Sequence, residues 1–340
     1  MQVAFHLPPI KTDAEGNPRR AGFELELGNL AIEEIAEAIH ERFGGHLRKT
    51  SAFEVHVEDS SLGKIKVERD TQTLTSLKYR DWLSNIGIDF SPGAEGEMLE
   101  KEVDKLSRWL VPCEIVTQPL TFDQFDQLND LVTVLEAHEG QGTQAAIHYA
   151  FGLHLNPSAP DLTAATLLAY IQATLLLVDW IIQDAETDFS RRFLTSYIDP
   201  FPNAYYRTIL KSDYAPKLDE LMQDYLAYNN TRNRPLDMLP IFCMIDLDRV
   251  RASVREEEKT LVKGRPAFHY RLPDCRVGEV GWSIAEEWNR WNLIEHIAAD
   301  SSRRMALIKA WQDEQKRFTL IPSAHWAKRV GQFLKDEGLL

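Results

Sequence analysis

The residues with the most chemical promise in this chain occupy alternate positions of short segments. Glu24 and Glu26 flank Leu25, His154 and Asn156 flank Leu155, and His269 and Arg271 flank Tyr270. Same-face residues on a strand stand about 7 Å apart, so each pair projects in parallel from one surface. Glu114 sits on another short run, from Cys113 to Pro119. If these runs are neighbouring strands, one side of their sheet presents carboxylates, imidazoles and a guanidinium. Such carboxylates suit a hard divalent cation such as Mg2+, which is commonly shared between a few carboxylates and substrate phosphates. Plainer roles fit the same residues: a solvated strand face for Glu24 and Glu26, and a hydrogen-bonded structural histidine for His154. Lys64, Lys66 and Glu68 read as a cross-strand ion-pairing surface.

The elements that must position these groups follow from periodicity. Gly22 to Gly28 alternates Phe23, Leu25 and Leu27 with the two glutamates, the period of a half-buried strand. A helix is expected next, capped at Asn29, striped by Ile32, Ile35, Ala36, Ile39 and Phe43, and stopped at Gly44. Phe53 to Glu58 and Lys64 to Glu68 are expected strands around a turn at Ser60-Ser61-Leu62-Gly63, and Asp89 to Gly96 is an expected loop. Cys113 to Pro119 is a further strand. Thr121 and Gln124 then predict a capping box for a helix packing Phe125, Leu128, Leu131, Val132 and Leu135. Phe151 to Asn156 alternates again, a long helix is expected from about Asp161, and Phe268 to Leu272 is the last expected strand.

Strands mixed with helices, each strand with period two, predict an α+β fold built on an antiparallel sheet. The expected organisation is one domain over residues 1–340. Its sheet core lies in 20–160 and about 265–275, with mainly helical stretches at 161–260 and 280–340. No Gly-rich Walker or dinucleotide loop is present. A formal net charge of −14 argues against non-specific nucleic-acid binding and against docking on anionic lipid. Cys113, Cys243 and Cys275 are too scattered for a disulfide framework or a zinc site and suit a reducing cytosol. Met1 to Ile10 lacks a signal-peptide pattern. Leu162 to Ile182 is long enough to span a membrane but carries Gln172 and Asp179, so a buried helix in a cytoplasmic protein is expected.

Gly22-Phe-Glu-Leu-Glu26, Glu114-Ile-Val-Thr-Gln-Pro-Leu120 and Gly152-Leu-His-Leu-Asn156, in that order, resemble the putative amidoligase family, part of the carboxylate–amine ligase group with glutamine synthetase and glutamate–cysteine ligase. Asn230-Thr-Arg-Asn-Arg-Pro-Leu-Asp237 and Phe268-His-Tyr-Arg271, before a Trp-rich helix, look like its C-terminal half. The resemblance runs from about Arg20 to about Asp300 and implies a glutamine-synthetase-like catalytic sheet with helices on one face and a largely helical C-terminal half.

The resemblance also implies roles. Glu24, Glu26 and Glu114 would be metal ligands, His154 would lie by the metals and the nucleotide phosphates, and Asp59 matches an acidic catalytic position. Arg271 would neutralise the transferred phosphoryl group. Two positions depart from the family pattern: Asn156 stands where a second histidine is common, and His269 where a glutamate is common, so imidazole could replace carboxylate as a ligand. The implied cofactors are ATP and Mg2+, with an acyl phosphate formed from a carboxylate and then displaced by an amine. Arg232 and Arg234 could assist at the phosphoryl oxygens or simply pair with surface acids, and Arg191, Arg192 and Arg207 are candidates for holding the substrate carboxylate. The implied partners are small-molecule or peptide carboxylates and amines, with a glutamine amidotransferase as a source of ammonia. Two rivals are a catalytically reduced nucleotide- or metal-binding scaffold and, third in rank, a metal-dependent hydrolase.

Overall fold

The computed structural model describes residues 3–28, 30–51, 53–69, 113–138, 152–185, 198–316 and 322–340. Its centre is β1 (Arg20–Leu27), seven of whose eight residues are buried. The expected alternation is therefore real but describes two buried faces of different chemistry. β5 (Cys113–Thr117) pairs along one edge of β1 and β7 (Leu153–Pro157) along the other, both antiparallel, and β6 (Leu120–Thr121) pairs with its start. Beyond β5 lie β4 (Gly63–Arg69), β3 (Glu54–Ser60) and β2 (His46–Ser51); beyond β7 lie β9 (His269–Tyr270) and β8 (Leu236–Asp237). The result is a nine-stranded antiparallel sheet in an α+β fold, as expected.

Helices cover the apolar face. α1 (Ile32–Phe43) turns Ile32, Ile35, Ala36, Ile39 and Phe43 onto β3 and β4. α2 (Gln127–Ala137) buries Leu128, Leu131, Val132 and Leu135. α3 (Ala164–Asp184) lies mostly in the core: 78% of its most apolar window is buried, which is how a core helix differs from a membrane span of the same composition. The chain continues through α4 (Asn203–Ile209), α5 (Leu218–Tyr228), α6 (Leu239–Ile245), α7 (Leu247–Ser253), α8 (Ile284–Ala299), α9 (Ser301–Glu314) and α10 (Pro322–Asp336). Trp288 of α8 stands edge-on to Phe125 at 4.7 Å and tilted against Phe23, and Trp291 packs on Tyr270 and Phe268. Rings of this size supply much of a core's apolar burial, which locks the sheet to its helical cover.

One polar knot sits within this cover. Arg19 donates to both oxygens of Glu295, at 2.8 and 3.0 Å; Trp291 Nε1 donates to the same carboxylate at 3.0 Å and the Tyr170 hydroxyl donates a further bond. It ties the residue before β1 to α3 and α8.

Several expectations need correction. α1 is capped from Ala31, with no side-chain bond; Glu33 and Glu34 in its first turn complement the helix dipole instead, and Asn29 lies outside the described residues. The Thr121–Gln124 capping box exists but opens a short 3-10 turn, and α2 begins only at Gln127. β2 and β8 were not anticipated. β2 is exposed along its whole length, so it has no apolar period to read, and His46, Arg48 and Lys49 make it a charged edge strand. β8 has two residues, too few to show a period. The Phe268–Leu272 strand shrinks to His269–Tyr270, while Arg271 N–H turns to the Pro235 carbonyl. The loop at Asp89–Gly96 lies outside the described residues.

Candidate functional site

Residues paired across antiparallel strands share a face. Glu24 pairs with His154, Glu26 with Glu114, Glu114 with Glu68, and His269 with Asp237. Tyr270 pairs with Leu155 on the apolar side, so His269 and Arg271 fall on the polar side with His154. Phe23, Leu25, Ile115, Leu153 and Leu155 take the alternate positions and bury completely. Helix packing on that side thus fixes which groups the other side presents.

Glu24 is the hub. Its Oε1 accepts from Asn156 Nδ2 at 2.9 Å and from Arg265 Nη1 at 3.4 Å. Its Oε2 lies 3.1 Å from His154 Nδ1 and 3.9 Å from His269 Nε2. The two imidazoles stand edge to face, their centroids 5.1 Å apart. Behind them, wholly buried Asp237 accepts hydrogen bonds from His269 Nδ1 at 3.2 Å and from the Leu239 N–H at 2.9 Å. A carboxylate can only accept, so His269 Nδ1 carries the proton and Nε2 presents a lone pair. That Nε2 is buried and has no hydrogen-bond partner. Leaving such a group unmatched costs about 1–3 kcal/mol, a cost that a ligand on Nε2 would remove.

The charges divide the face. Burial lowers the His269 pKa to about 4, with the Asp237 hydrogen bond opposing, so this ring is neutral at pH 7. Burial pushes the Glu24 carboxyl up, but its bond with His154 and the neighbouring His269, His154 and Arg265 outweigh it and hold the acid well below the usual carboxylate range. With His269 neutral, the donors that stabilise ionised Glu24 are His154, Asn156 and Arg265. Glu114 goes the other way: burial, then the charges of Glu24, Glu26 and Glu68, push it well above the usual range, and Lys66 only partly compensates. The carboxylate half therefore carries repulsion that a bound cation would relieve.

Gly152 makes room for this arrangement. Its N–H donates to Glu26 Oε2 at 2.8 Å, and a Cβ there would stand 2.9 Å from His154 Nε2 and 3.3 Å from Glu26 Oε2. Gly22, the other glycine of the sequence motifs, has nothing nearer than 3.7 Å to a Cβ.

The structure thus brings Glu24, Glu26, Glu114, His154, Asn156, His269 and Arg271 onto one face. Arg271 donates to the Arg232 carbonyl at 2.9 Å and to Asn233 Oδ1 at 3.2 Å, so Arg232 adjoins the site through its backbone. Asp59 does not join them. It sits at the bulged end of β3, with φ 56° and a side chain 87% exposed towards His46, three strands from β1. Arg234 is a structural clamp: its guanidinium donates to the Asp199, Pro200 and Tyr228 carbonyls, which spends it on the surrounding loop. Arg207 is exposed on α4 and has no hydrogen bond or ion pair with the site among the described residues; Arg191 and Arg192 lie outside them. Asp237, Arg265 and the spatial need for Gly152 escaped sequence reasoning. Asp237 closed a segment already marked by resemblance, but its two-residue strand gave no period.

A family model described as putative amidoligase enzyme matches residues 17–293. No curated protein and no solved structure matches the chain. The match runs from before β1 into α8 and includes every residue of the face just described, and on it the chain belongs to the putative amidoligase family.

Proposed function

We propose that the chain is an ATP- and Mg2+-dependent ligase that joins a carboxylate to an amine through an acyl phosphate. One observation carries this reading: Glu24, Glu26 and Glu114 lie side by side on a buried polar face, between Lys66 on one flank and Arg265 and Arg271 on the other. Glu26 and Glu114 have the hard oxygen donors that Mg2+ prefers, and the raised pKa of Glu114 marks where positive charge is wanted. Bound Mg2+ would neutralise the nucleotide phosphates and ready the γ-phosphorus for attack.

The protein's own groups do the rest. Arg271, held by the Arg232 carbonyl and Asn233, supplies a positioned positive charge for the phosphoryl oxygens. Arg265 reaches Glu24 while its side chain remains 46% exposed, so it stands at the rim where an anionic substrate enters. A substrate carboxylate oxygen attacks the γ-phosphorus and the bond to the ADP oxygen breaks. The amine nitrogen then attacks the acyl carbon, phosphate leaves with the C–O electron pair, and the nitrogen gives up its proton.

Calorimetry of ATP with and without Mg2+, on wild type and Glu26→Gln/Glu114→Gln, tests this. Wild type should bind ATP only with Mg2+, and the double variant at least about 100-fold more weakly. Wild type that binds no ATP under saturating Mg2+ would sink the reading.

A further inference from the structure

The polar face holds two kinds of donor set. Glu26, Glu114 and Glu68 offer oxygen alone, whereas one atom each of Glu24, His154 and His269 lies within 4.8 Å of the others. Mg2+ demands near-octahedral oxygen coordination and sheds water reluctantly, whereas two imidazoles and one carboxylate suit borderline transition metals.

Three features of the geometry agree. Glu24 is split by oxygen: Asn156 and Arg265 hold Oε1, leaving Oε2 turned to both imidazoles. His269 Nε2, on a residue only 2% exposed, points at that oxygen with no hydrogen-bond partner of its own. Asp237 grips Nδ1 of the same ring, the carboxylate–histidine backing that orients a metal ligand. Donors around a tetrahedral Zn2+ stand roughly 3.3 Å apart; Glu24 Oε2 lies 3.1 and 3.9 Å from the two imidazole nitrogens, and all three donor atoms fall within 4.8 Å of one another.

Resting on the reading of this face as the working face, we propose that Glu24, His154 and His269 form a site for a first-row transition-metal dication of the Zn2+ type, chemically distinct from the Mg2+ assigned to Glu26 and Glu114. Three protein ligands leave a fourth position open to water or substrate. Asp237 is the positioning residue of this site.

The test uses the full chain, stripped with a chelator and titrated at fixed pH with ZnCl2, CoCl2 and MgCl2 without nucleotide. One Zn2+ should bind per chain, at least about 100-fold tighter than Mg2+. Co2+ should give the visible absorption of a low-coordinate site, and long-range 15N spectra should show one metal-bound Nε2. His269→Gln should weaken Zn2+ at least about 100-fold and Asp237→Asn by about 10–100-fold. His46→Gln, on the exposed edge strand, should change nothing. His269→Glu, checked for folding by circular dichroism, should narrow the gap between Zn2+ and Mg2+. Zn2+ and Mg2+ affinities within about tenfold of each other, or Zn2+ binding untouched by His269→Gln, would overturn the proposal. Mg2+-dependent ATP binding without Zn2+ selectivity would overturn it and leave the ligase standing; selective Zn2+ binding without ATP binding would support it and remove the ligase.

Discussion

Carboxylates are buried on both sides of the sheet, and the two sides treat them in opposite ways. On the helical side, Glu295 is fully enclosed and accepts from Arg19 twice, from Tyr170 and from Trp291. On the polar side, Glu114 faces Glu24, Glu26 and Glu68, which push its pKa well above the usual range. The first arrangement serves the fold, because every lone pair is matched and nothing remains for a ligand. The second holds unrelieved repulsion, which sites keep for binding and catalysis. The imidazole group lies between: Glu24 is stabilised by His154, Asn156 and Arg265, while His269 Nε2 beside it stays unmatched.

The sharpest way to break this contrast is to remove Glu295. Glu295→Ala strands the Arg19 guanidinium in the core and should cost about 3–5 kcal/mol in denaturant unfolding. Arg19→Met with Glu295→Leu should recover most of the loss, since apolar replacements of a buried pair are often neutral. A single-variant loss below about 1 kcal/mol would show that the knot is not structural.

Glu114→Gln should do the reverse. Removing a carboxyl whose folded pKa is raised should stabilise the apo protein at pH 7.5, while weakening Mg2+-dependent ATP binding about 100-fold. Thermal unfolding and calorimetry on one preparation decide it. A variant both less stable and fully able to bind would erase the distinction between the two sides.

The two motif glycines sharpen it further. A methyl at Gly152 would press on the ends of His154 and Glu26, which can move, so Gly152→Ala should change stability by less than about 1 kcal/mol. The same displacement should cost about 10–100-fold in Zn2+ affinity. Gly22→Ala meets nothing closer than 3.7 Å and should leave both properties near wild type. Equal effects at the two positions, in a metal titration and a melt, would refute the spatial argument.

Much of this was legible in the sequence because it depends on period. Alternation along β1, β5 and β7 put Glu24, Glu26, Glu114, His154 and Asn156 on matching positions, and helix covering then had to choose the apolar side. What stayed hidden depends on register and loops. Asp237 and Arg265 reach the site only through pairings more than 200 residues from β1 in the chain, and no local pattern encodes a partner at that distance. Asp59 shows the converse. Its acidic type fitted a motif, but a bulge between Val57 and Ser60 turns it out at the hairpin. Arg234 was legible as a cation and illegible as a clamp, because its acceptors are backbone carbonyls, which no side-chain pattern reveals.

A third buried acid gives the smallest and cleanest test. Asp179 lies on α3, on the helical side with Glu295, but it has no hydrogen-bond or ion-pair partner among the described residues, and burial raises its pKa from 3.8 to about 6. The folded state therefore holds the proton more tightly than the unfolded chain does. Its contribution to stability is full below about pH 4, declines as pH rises through 6, and is gone above that. The whole shift corresponds to about 3 kcal/mol, and water reaching this half-buried position reduces the expectation to about 1 kcal/mol. Asp179→Asn should accordingly raise the Tm at pH 7.5 and flatten the decline between pH 4 and 6.5. Melts of wild type and variant across that range check it: parallel curves would mean that Asp179 is solvated, and that on the helical side too a carboxylate can lack partners without strain.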